Sequence, residues 1–420
     1  MNRIKIKNFG PIHKGCTDSD GFIDIKKLTL FIGSQGSGKS TVAKLISTFT
    51  WIEKALMRGD YDIKWFERKG RFKNQLLRYH RLENYVGLEK AYIEYQGPVY
   101  SFYFSDNSLL IQEEGNSLFR DAKQNKYALP QIMYIPAERN FLSYIKKANE
   151  LKLYSPSLQD FLTEFNNAKQ AIKGFSKLPL NNTDIEYDRL NDNITIKTDQ
   201  YKIRISDAAS GFQSFIPLFL VSQYLADSVK SKGKEKKDPM SEEEMKRFRK
   251  SVEDIWQNEN LSDEQKKIAI STLSSKFNKI AFINIVEEPE QNLFPLSQRT
   301  LLNSLLKLVN QCTENKLIMT THSPYIINFL SIAIQGKHLK EKINGSQNSD
   351  FLFKRLNKIV PLNALIGSED TAVYQLNETD GSIQKLPMPN GIPSDRNYLN
   401  NMLGEGNRLF DELLEIEEEL

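Results

Sequence analysis

Gly33-Ser34-Gln35-Gly36-Ser37-Gly38-Lys39-Ser40 follows directly on the apolar run Leu28-Thr29-Leu30-Phe31-Ile32 and leads into Thr41-Val42-Ala43-Lys44-Leu45-Ile46. This order predicts a strand, a phosphate loop and a helix. The glycines let the backbone curl so that successive N–H groups point inward, and the helix start adds the positive end of its dipole, so a polyphosphate fits there. In such a loop Lys39 reaches the β- and γ-phosphates and the Ser40 hydroxyl ligates Mg²⁺. The expected ATP contacts are therefore Gly33, Ser34, Gln35, Gly36, Ser37, Gly38, Lys39, Ser40 and Thr41.

The rest of the chain decides what surrounds this loop. Its 420 residues suffice for two or three ordinary domains, or for one large domain with insertions. An apolar share of 40% and a charged share of 26% are those of a globular protein in water. Without an apolar run of about 18 residues or a signal-like start, the expectation is a cytoplasmic protein with no membrane partner. Cys16 and Cys312 lack metal-ligand spacing, and a disulfide is not expected. A net charge of +4 is too small to argue for nucleic acid by itself.

Taken in order, residues 4–12 read as an edge-type strand ending in a Gly-Pro turn, and Phe22–Ile25 as a second strand, so that 1–50 forms a small β layer leading into the phosphate loop. Residues 51–90 are rich in cations and aromatic rings (Trp51, Trp65, Phe66, Arg68, Lys69, Arg71, Lys73, Arg78, Tyr79, His80, Arg81). Two readings stay open here: a surface for nucleic acid or an acidic partner, or a solvated helical excursion whose aromatics are core. Residues 91–227 hold a hairpin (Ala91–Tyr95 with Val99–Phe104), a buried strand at 131–135 running into Pro136-Ala137-Glu138-Arg139, a second hairpin (194–197 with 201–205), and an apolar helix from Phe215 to Ala226. Gln131, Glu138 and Arg139 are candidates for sensing Mg²⁺, water or the γ-phosphate, with Gln131 as the metal ligand; an ordinary ion pair at a strand end explains them as well. Ser210-Gly211-Phe212-Gln213 opens the helix. Taken alone it is an N-cap. Residues 228–279 read as a basic linker and a charged helical insertion, and 336–420 as a β/α extension with an acidic end.

The chain returns to the core over 280–335. The apolar strand Ile280–Val286 ends in Glu287-Glu288-Pro289-Glu290-Gln291-Asn292, and the next, Lys316–Thr321, ends in His322-Ser323-Pro324. Ligands of phosphate-loop folds sit at the carboxyl ends of the parallel strands, so both ends converge on the Mg²⁺ and the γ-phosphate.

Phosphate loop, Ser210-Gly211-Phe212-Gln213, Val286-Glu287-Glu288-Pro289-Glu290 and Thr320-Thr321-His322-Ser323-Pro324 stand in an order that resembles the ATP-binding-cassette superfamily. The resemblance is to its soluble branch, which includes RecF, the structural-maintenance-of-chromosomes proteins and the overcoming-lysogenization-defect ATPases. Ile6-Lys7-Asn8-Phe9-Gly10-Pro11-Ile12, Ile135-Pro136-Ala137-Glu138-Arg139 and the Glu-Glu-Pro-Glu-Gln-Asn-Leu-Phe-Pro run are similar to the last group, including the ATPase subunits of the Septu and PARIS anti-phage systems. The fold implied is α/β, a phosphate-loop ATPase core of mixed or parallel sheet with helices, an antiparallel β layer and charged helical insertions.

The mechanism implied by the resemblance is an ATP sandwich. Two chains pack head to tail, each phosphate loop facing Ser210, Gly211 and Gln213 of the other. Lys39 neutralises phosphate charge, Ser40 and Glu287 hold Mg²⁺, Glu288 polarises the attacking water, and His322 contacts the γ-phosphate. Phe212 stands where many cassettes have a second glycine, and Glu287 where many have Asp. The similar nucleases carry a further metal-dependent domain, for which no acidic constellation is seen after His322. The resemblance thus implies an ATP-driven sensor or scaffold in an anti-phage complex, with a separate nuclease as effector and a phage protein as trigger. The alternative is a DNA-binding repair or chromosome ATPase that grips DNA through residues 64–81 and 230–250.

Overall fold

A strand buried on both faces reads as an uninterrupted apolar run, and Leu28–Gly33, buried at every position, forms strand β4 at the middle of the fold. The computed structural model of the chain describes residues 2–86, 90–113, 127–144, 155–180, 183–230, 242–257, 266, 279–346 and 348–419. The other strands are β1 (Asn2–Lys7), β2 (Gly15–Cys16), β3 (Ile23–Ile25), β5 (Tyr92–Gln96), β6 (Tyr100–Ser105), β7 (Ser108–Glu113), β8 (Pro130–Ile135), β9 (Phe175–Lys177), β10 (Asp184–Asp188), β11 (Asn193–Lys197), β12 (Lys202–Arg204), β13 (Ala281–Glu287), β14 (Lys316–Thr321), β15 (Thr371–Leu376) and β16 (Ser382–Lys385). The helices are α1 (Lys39–Arg58), α2 (Ile63–Glu67), α3 (Pro156–Ala171), α4 (Ser210–Lys230), α5 (Glu242–Gln257), α6 (Pro295–Val309), α7 (Pro324–Ile343), α8 (Ser349–Ile359) and α9 (Tyr398–Glu418).

The central sheet has seven strands in the order β2-β16-β15-β4-β14-β13-β8, with β15, β4, β14, β13 and β8 mutually parallel. Alternate residues of β4 serve two cores. Leu28, Leu30 and Ile32 face the side covered by α3, α4, α6 and α7, whereas Phe31 faces α1. On the α1 side lies a five-stranded antiparallel layer, β3-β1-β5-β6-β7, whose Tyr95 and Phe102 stack around Phe49 of α1. A small four-stranded sheet, β12-β11-β10-β9, precedes α4. The fold is α/β with mixed sheets and an antiparallel layer.

Several expectations change in detail. The first strand spans 2–7 and is paired on both sides, with β3 and β5, so it is not an edge. Its alternation of apolar and basic residues reflects one buried face and one solvated face. Within the C-terminal extension, residues 371–385 form a hairpin whose β15 pairs in parallel with β4, so it adds to the central sheet. In the 51–90 region Phe66, Phe72, Leu76 and Leu77 are buried beneath α1, while Lys64, Arg68, Lys69 and Arg78 are exposed. The basic linker at 231–241 and most of 258–278 lie outside the described residues. Among the described residues no helix is long and apolar enough to cross a membrane.

Candidate nucleotide site

The parallel register places the ends of β4, β14 and β13 side by side, with Ile32 opposite Thr321 and Thr320 opposite Glu287. Beyond that edge the chain turns at Gly33–Gly38 and enters α1. Gly33 has φ +148, and a Cβ there would come within 2.5 Å of the Leu376 carbonyl, so the close approach of β15 requires glycine. Gly38 caps α1 in the left-handed region, at φ 100. Ser37 donates to the Ser34 carbonyl at 2.9 Å, which closes the loop on itself. Ser34 and Ser40 are half-buried, Gln35 and Gly36 exposed, and Ser37, Lys39 and Thr41 buried.

Lys39 Nζ donates to the carbonyls of Gly33 (2.9 Å) and Ser34 (2.6 Å) and lies 3.4 Å from Nδ1 of His322. Burial lowers its pKa to about 8, against the attraction of Glu288, Glu290, Glu378 and Glu287. His322 also reaches Glu288, with Nε2 3.3 Å from Oε1. Contact with His322 holds the Glu288 carboxyl below its ordinary range. One imidazole thus touches both the phosphate-loop lysine and the half-buried carboxylate of Glu288. Its backbone N–H donates at 2.7 Å to Glu290, a buried carboxylate whose pKa burial raises.

Glu287 and Glu288 differ in environment although they are adjacent. Glu287 ends β13 and is buried; its Oε2 accepts from the Ala137 N–H at 3.4 Å, while Oε1 has no hydrogen-bond partner within 3.5 Å among the described residues, the buried Tyr134 hydroxyl being its polar neighbour. A buried, unpartnered carboxylate oxygen at this strand end suits a cation, and Ser40 opens α1 at the same edge. Glu288 adopts φ +43, a conformation that costs a non-glycine residue about 1–3 kcal/mol and persists where its surroundings fix it. Here its N–H donates to the Thr320 carbonyl at 2.9 Å, and its own carbonyl accepts from Arg139 at 2.6 Å.

Arg139 is fully buried. Its guanidinium donates to the carbonyls of Glu287 (2.8 Å), Glu288, Pro136 (3.3 Å) and Ser214 (3.2 Å). Burial lowers its pKa to about 10, so it stays charged at neutral pH. Pro217 has no N–H for the Gln213 carbonyl four residues back; that carbonyl accepts from Ser143 Oγ at 3.1 Å instead, and the next one, Ser214, from Arg139. Arg139 therefore fixes the strained turn at Glu287–Glu288 to the first turn of α4 and does not face solvent. Glu138 is exposed, 3.9 Å from the equally exposed Arg81.

Two expected site residues lie elsewhere in function. Gln131 pairs with Phe282 near the start of β8, four residues before Ile135, which pairs with Val286. Glu287 lies one residue beyond that pair, so at about 3.3 Å per residue Gln131 is roughly 16 Å from the edge that carries it, and it is no ligand of a metal there. Gln213 is buried, with Nε2 donating to the carbonyls of Ile205 (3.3 Å), Ser206 (3.1 Å) and Ala208 (3.0 Å). Its amide organises the turn ahead of α4 and is not presented to a nucleotide. Ser210 is exposed and Gly211 half-buried at the solvent-facing start of α4. Two further residues were missed by the sequence reading: Glu290, which orients His322, and Glu378, in a cleft of about 270 Å³ beside Ser34 that Gln375, Asn377 and Tyr398 also line.

Among solved structures the chain is similar to the SMC head domain from Thermotoga maritima, at 10% identity over 92% of this chain and 98% of that one, with a TM-score of 0.34. It is also similar to an Smc head domain with an extended coiled coil bound to the C-terminal domain of ScpA, from Pyrococcus furiosus, at 11% identity over 98% and 100%, with a TM-score of 0.30. A dimeric ATP-binding cassette in a post-hydrolysis state bound to ADP and Pi aligns at 11% identity over 91% and 96%, with a TM-score of 0.25. No curated protein sequence matches the chain. The family model described as AAA ATPase domain matches residues 104–327, more than half of the chain and a span that holds Arg139, the start of α4, Glu287–Glu290 and His322. The chain belongs to the AAA ATPase domain family.

Proposed function

We propose that the chain binds ATP with Mg²⁺ on the loop 33–41 and hydrolyses it slowly, in a site that a second copy completes. The observation that carries this reading is the contact chain Lys39–His322–Glu288 at the mouth of the loop, 3.4 Å and 3.3 Å long, beside the unpartnered Oε1 of Glu287. In that arrangement Lys39 leaves its carbonyl partners for the β- and γ-phosphates, and Ser40 with Glu287 holds the metal, whose role is to neutralise phosphate charge. Glu288, kept ionised by His322, orients a water as base, and His322 carries a proton or a hydrogen bond at the γ-phosphate. Such chemistry is positioning and charge stabilisation. Ser210, exposed at a helix start, with the half-buried Gly211 beside it, is available to the nucleotide of another copy.

In this reading ATP closes a dimer and hydrolysis opens it, and the moving surface serves a partner in the cytoplasm. The resemblance noted above makes that partner an effector, a nuclease, in an anti-phage complex answering a phage protein. The second reading, a DNA-gripping repair or chromosome ATPase, is favoured by the exposed cations Lys64, Arg68, Lys69 and Arg78. Glu288→Gln tests the shared part: ATP and Mg²⁺ should convert the variant into a stable dimer that turns over little. Undiminished turnover would remove Glu288 from its role. On the trapped dimer, duplex-DNA affinity that falls steeply with salt supports the second reading, and co-purification of an effector with weak DNA binding supports the first.

A further inference from the structure

Helix α9 carries an apolar stripe that the described residues of its own chain leave open. Its root is fixed: Tyr398 N–H donates to Gln375 Oε1 at 2.7 Å, Asn397 caps Asn400 N–H at 3.1 Å, and Leu399 is buried in the main core. From there the helix runs into solvent, with Met402, Leu403, Leu409, Phe410, Leu413, Leu414 and Ile416 all 42–62% exposed. At about 100° per residue these seven fall within one stripe roughly 160° wide. Glu405, Arg408, Asp411, Glu412 and Glu415 lie opposite, and Arg408 pairs with both Glu405 and Glu412. An exposed stripe of this width is the signature of a helix that packs on something.

We infer that α9 pairs antiparallel with α9 of a second copy, independently of nucleotide. Three features select this occupant. Centred on residue 408, an antiparallel pair sets Met402 against Leu414, Leu403 against Leu413, and Gly406 against Phe410. Gly406, with open space where a Cβ would stand, forms the notch that the largest side chain fills, so the surface is complementary to itself. The charges select the direction: Asp411, Glu412, Glu415, Glu417, Glu418 and Glu419 crowd the second half without a base among them, while Glu405 and Arg408 balance the first half. A parallel pair would superimpose the two acidic halves. The antiparallel pair separates them and brings each toward the positive dipole end of the other helix. Finally, covering seven half-exposed side chains removes on the order of 600 Å² per copy, about 1,200 Å² for the pair, which reaches the lower bound of a specific interface.

The test uses the full chain without nucleotide. Sedimentation at tens of micromolar should show twice the 48.5 kDa chain mass. Phe410→Glu with Leu413→Glu should shift it to monomer while the thermal midpoint stays within a few degrees, because both side chains face solvent. Direction is read by oxidative cross-linking in a Cys312→Ser background, because Cys16 is buried and Cys312 is half-exposed. Met402→Cys with Leu414→Cys on one chain should give a covalent dimer, and either substitution alone should not. A monomeric parent chain, a dimer indifferent to the two glutamates, or cross-linking by a single cysteine would each overturn the inference. The ATP-dependent dimer of Glu288→Gln is measured in the Phe410→Glu/Leu413→Glu background, where α9 cannot pair, so failure of one leaves the other standing.

Discussion

In the site proposed above, Lys39 would make nucleotide binding a proton-linked event, and a shift from pH 7 to pH 9 is the perturbation that reveals it. In the free protein the ammonium is buried against the carbonyls of Gly33 and Ser34, and its pKa lies at about 8 instead of 10.5. A triphosphate placed beside it favours the charged form and returns the pKa toward or above its ordinary value. Binding then takes up whatever proton the free protein lacks, roughly a tenth at pH 7 and roughly nine tenths at pH 9. Affinity should fall about tenfold over that interval, equivalent to about 1.4 kcal/mol. Calorimetry with a non-hydrolysable ATP analogue and Mg²⁺, in two buffers of different ionisation heat, measures the uptake directly. Lys39→Arg keeps a positive charge that does not titrate in this range and should abolish the uptake. Equal uptake at both pH values, or uptake that persists in Lys39→Arg, would refute the argument. The same group acts oppositely on the nucleotide-free fold. Its folded pKa lies below its unfolded one, so the penalty of burying the charge is full below about pH 8 and is relieved as pH rises toward 10.5.

Arg139→Met strands four buried carbonyls and should destabilise the fold by about 3–5 kcal/mol in urea unfolding; a loss below about 1 kcal/mol would show that the turn holds without its clamp. His80 is buried with neither ring nitrogen hydrogen-bonded, and burial lowers its pKa to about 3. Its neutral form stabilises the fold above the unfolded pKa of 6.5, and that stability is lost as pH falls, so by pH 4.5 the protein should lose roughly 3 kcal/mol that His80→Phe retains, measured by denaturant melts at each pH. Gln213→Ala should cost about 1–3 kcal/mol of stability while changing ATP affinity of the single chain less than about twofold. A large affinity loss with stability intact would return Gln213 to the nucleotide site.

What the sequence disclosed followed the range of each signal. The phosphate loop and the ends of β13 and β14 were legible because each is a local pattern: an apolar run of strand length, then polar residues where ligands of parallel sheets lie. The pairing of β1 on both sides was not legible, because one solvated face gives an interior antiparallel strand the same alternation as an edge. Nor did proximity in sequence reveal direction. Gln131 and Glu138 flank the same strand, yet Gln131 sits at its far end, and a strand of six residues separates two chemistries by most of the thickness of the sheet. Gln213 illustrates a second limit: a polar side chain beside a helix start can serve the loop before it as readily as a ligand after it, and only the positions of the Ile205, Ser206 and Ala208 carbonyls decide.

Arg139 is the residue whose meaning changed most, and it relates the two halves of the proposed site. The phosphate loop and α1 lie on one side of the central sheet, and α4 on the other. Ser210, which this reading offers to another copy's nucleotide, is one helical turn from Ser214, whose carbonyl Arg139 holds. The same guanidinium holds the carbonyls of Glu287 and Glu288, proposed above to serve the metal and the water, while Pro217 frees the neighbouring Gln213 carbonyl for Ser143. Gly211 closes the arrangement from the other direction: a Cβ there would lie 3.0 Å from the Asn292 carbonyl, and Asn292 donates to Ser214 Oγ at 3.1 Å. Displacement of α4 therefore cannot leave the strained turn at Glu288 unaffected, because that turn keeps φ +43 only while Thr320 and Arg139 hold it. In the proposed two-copy site, cleavage geometry in one copy and the presentation of Ser210 to the other would both depend on this single buried cation.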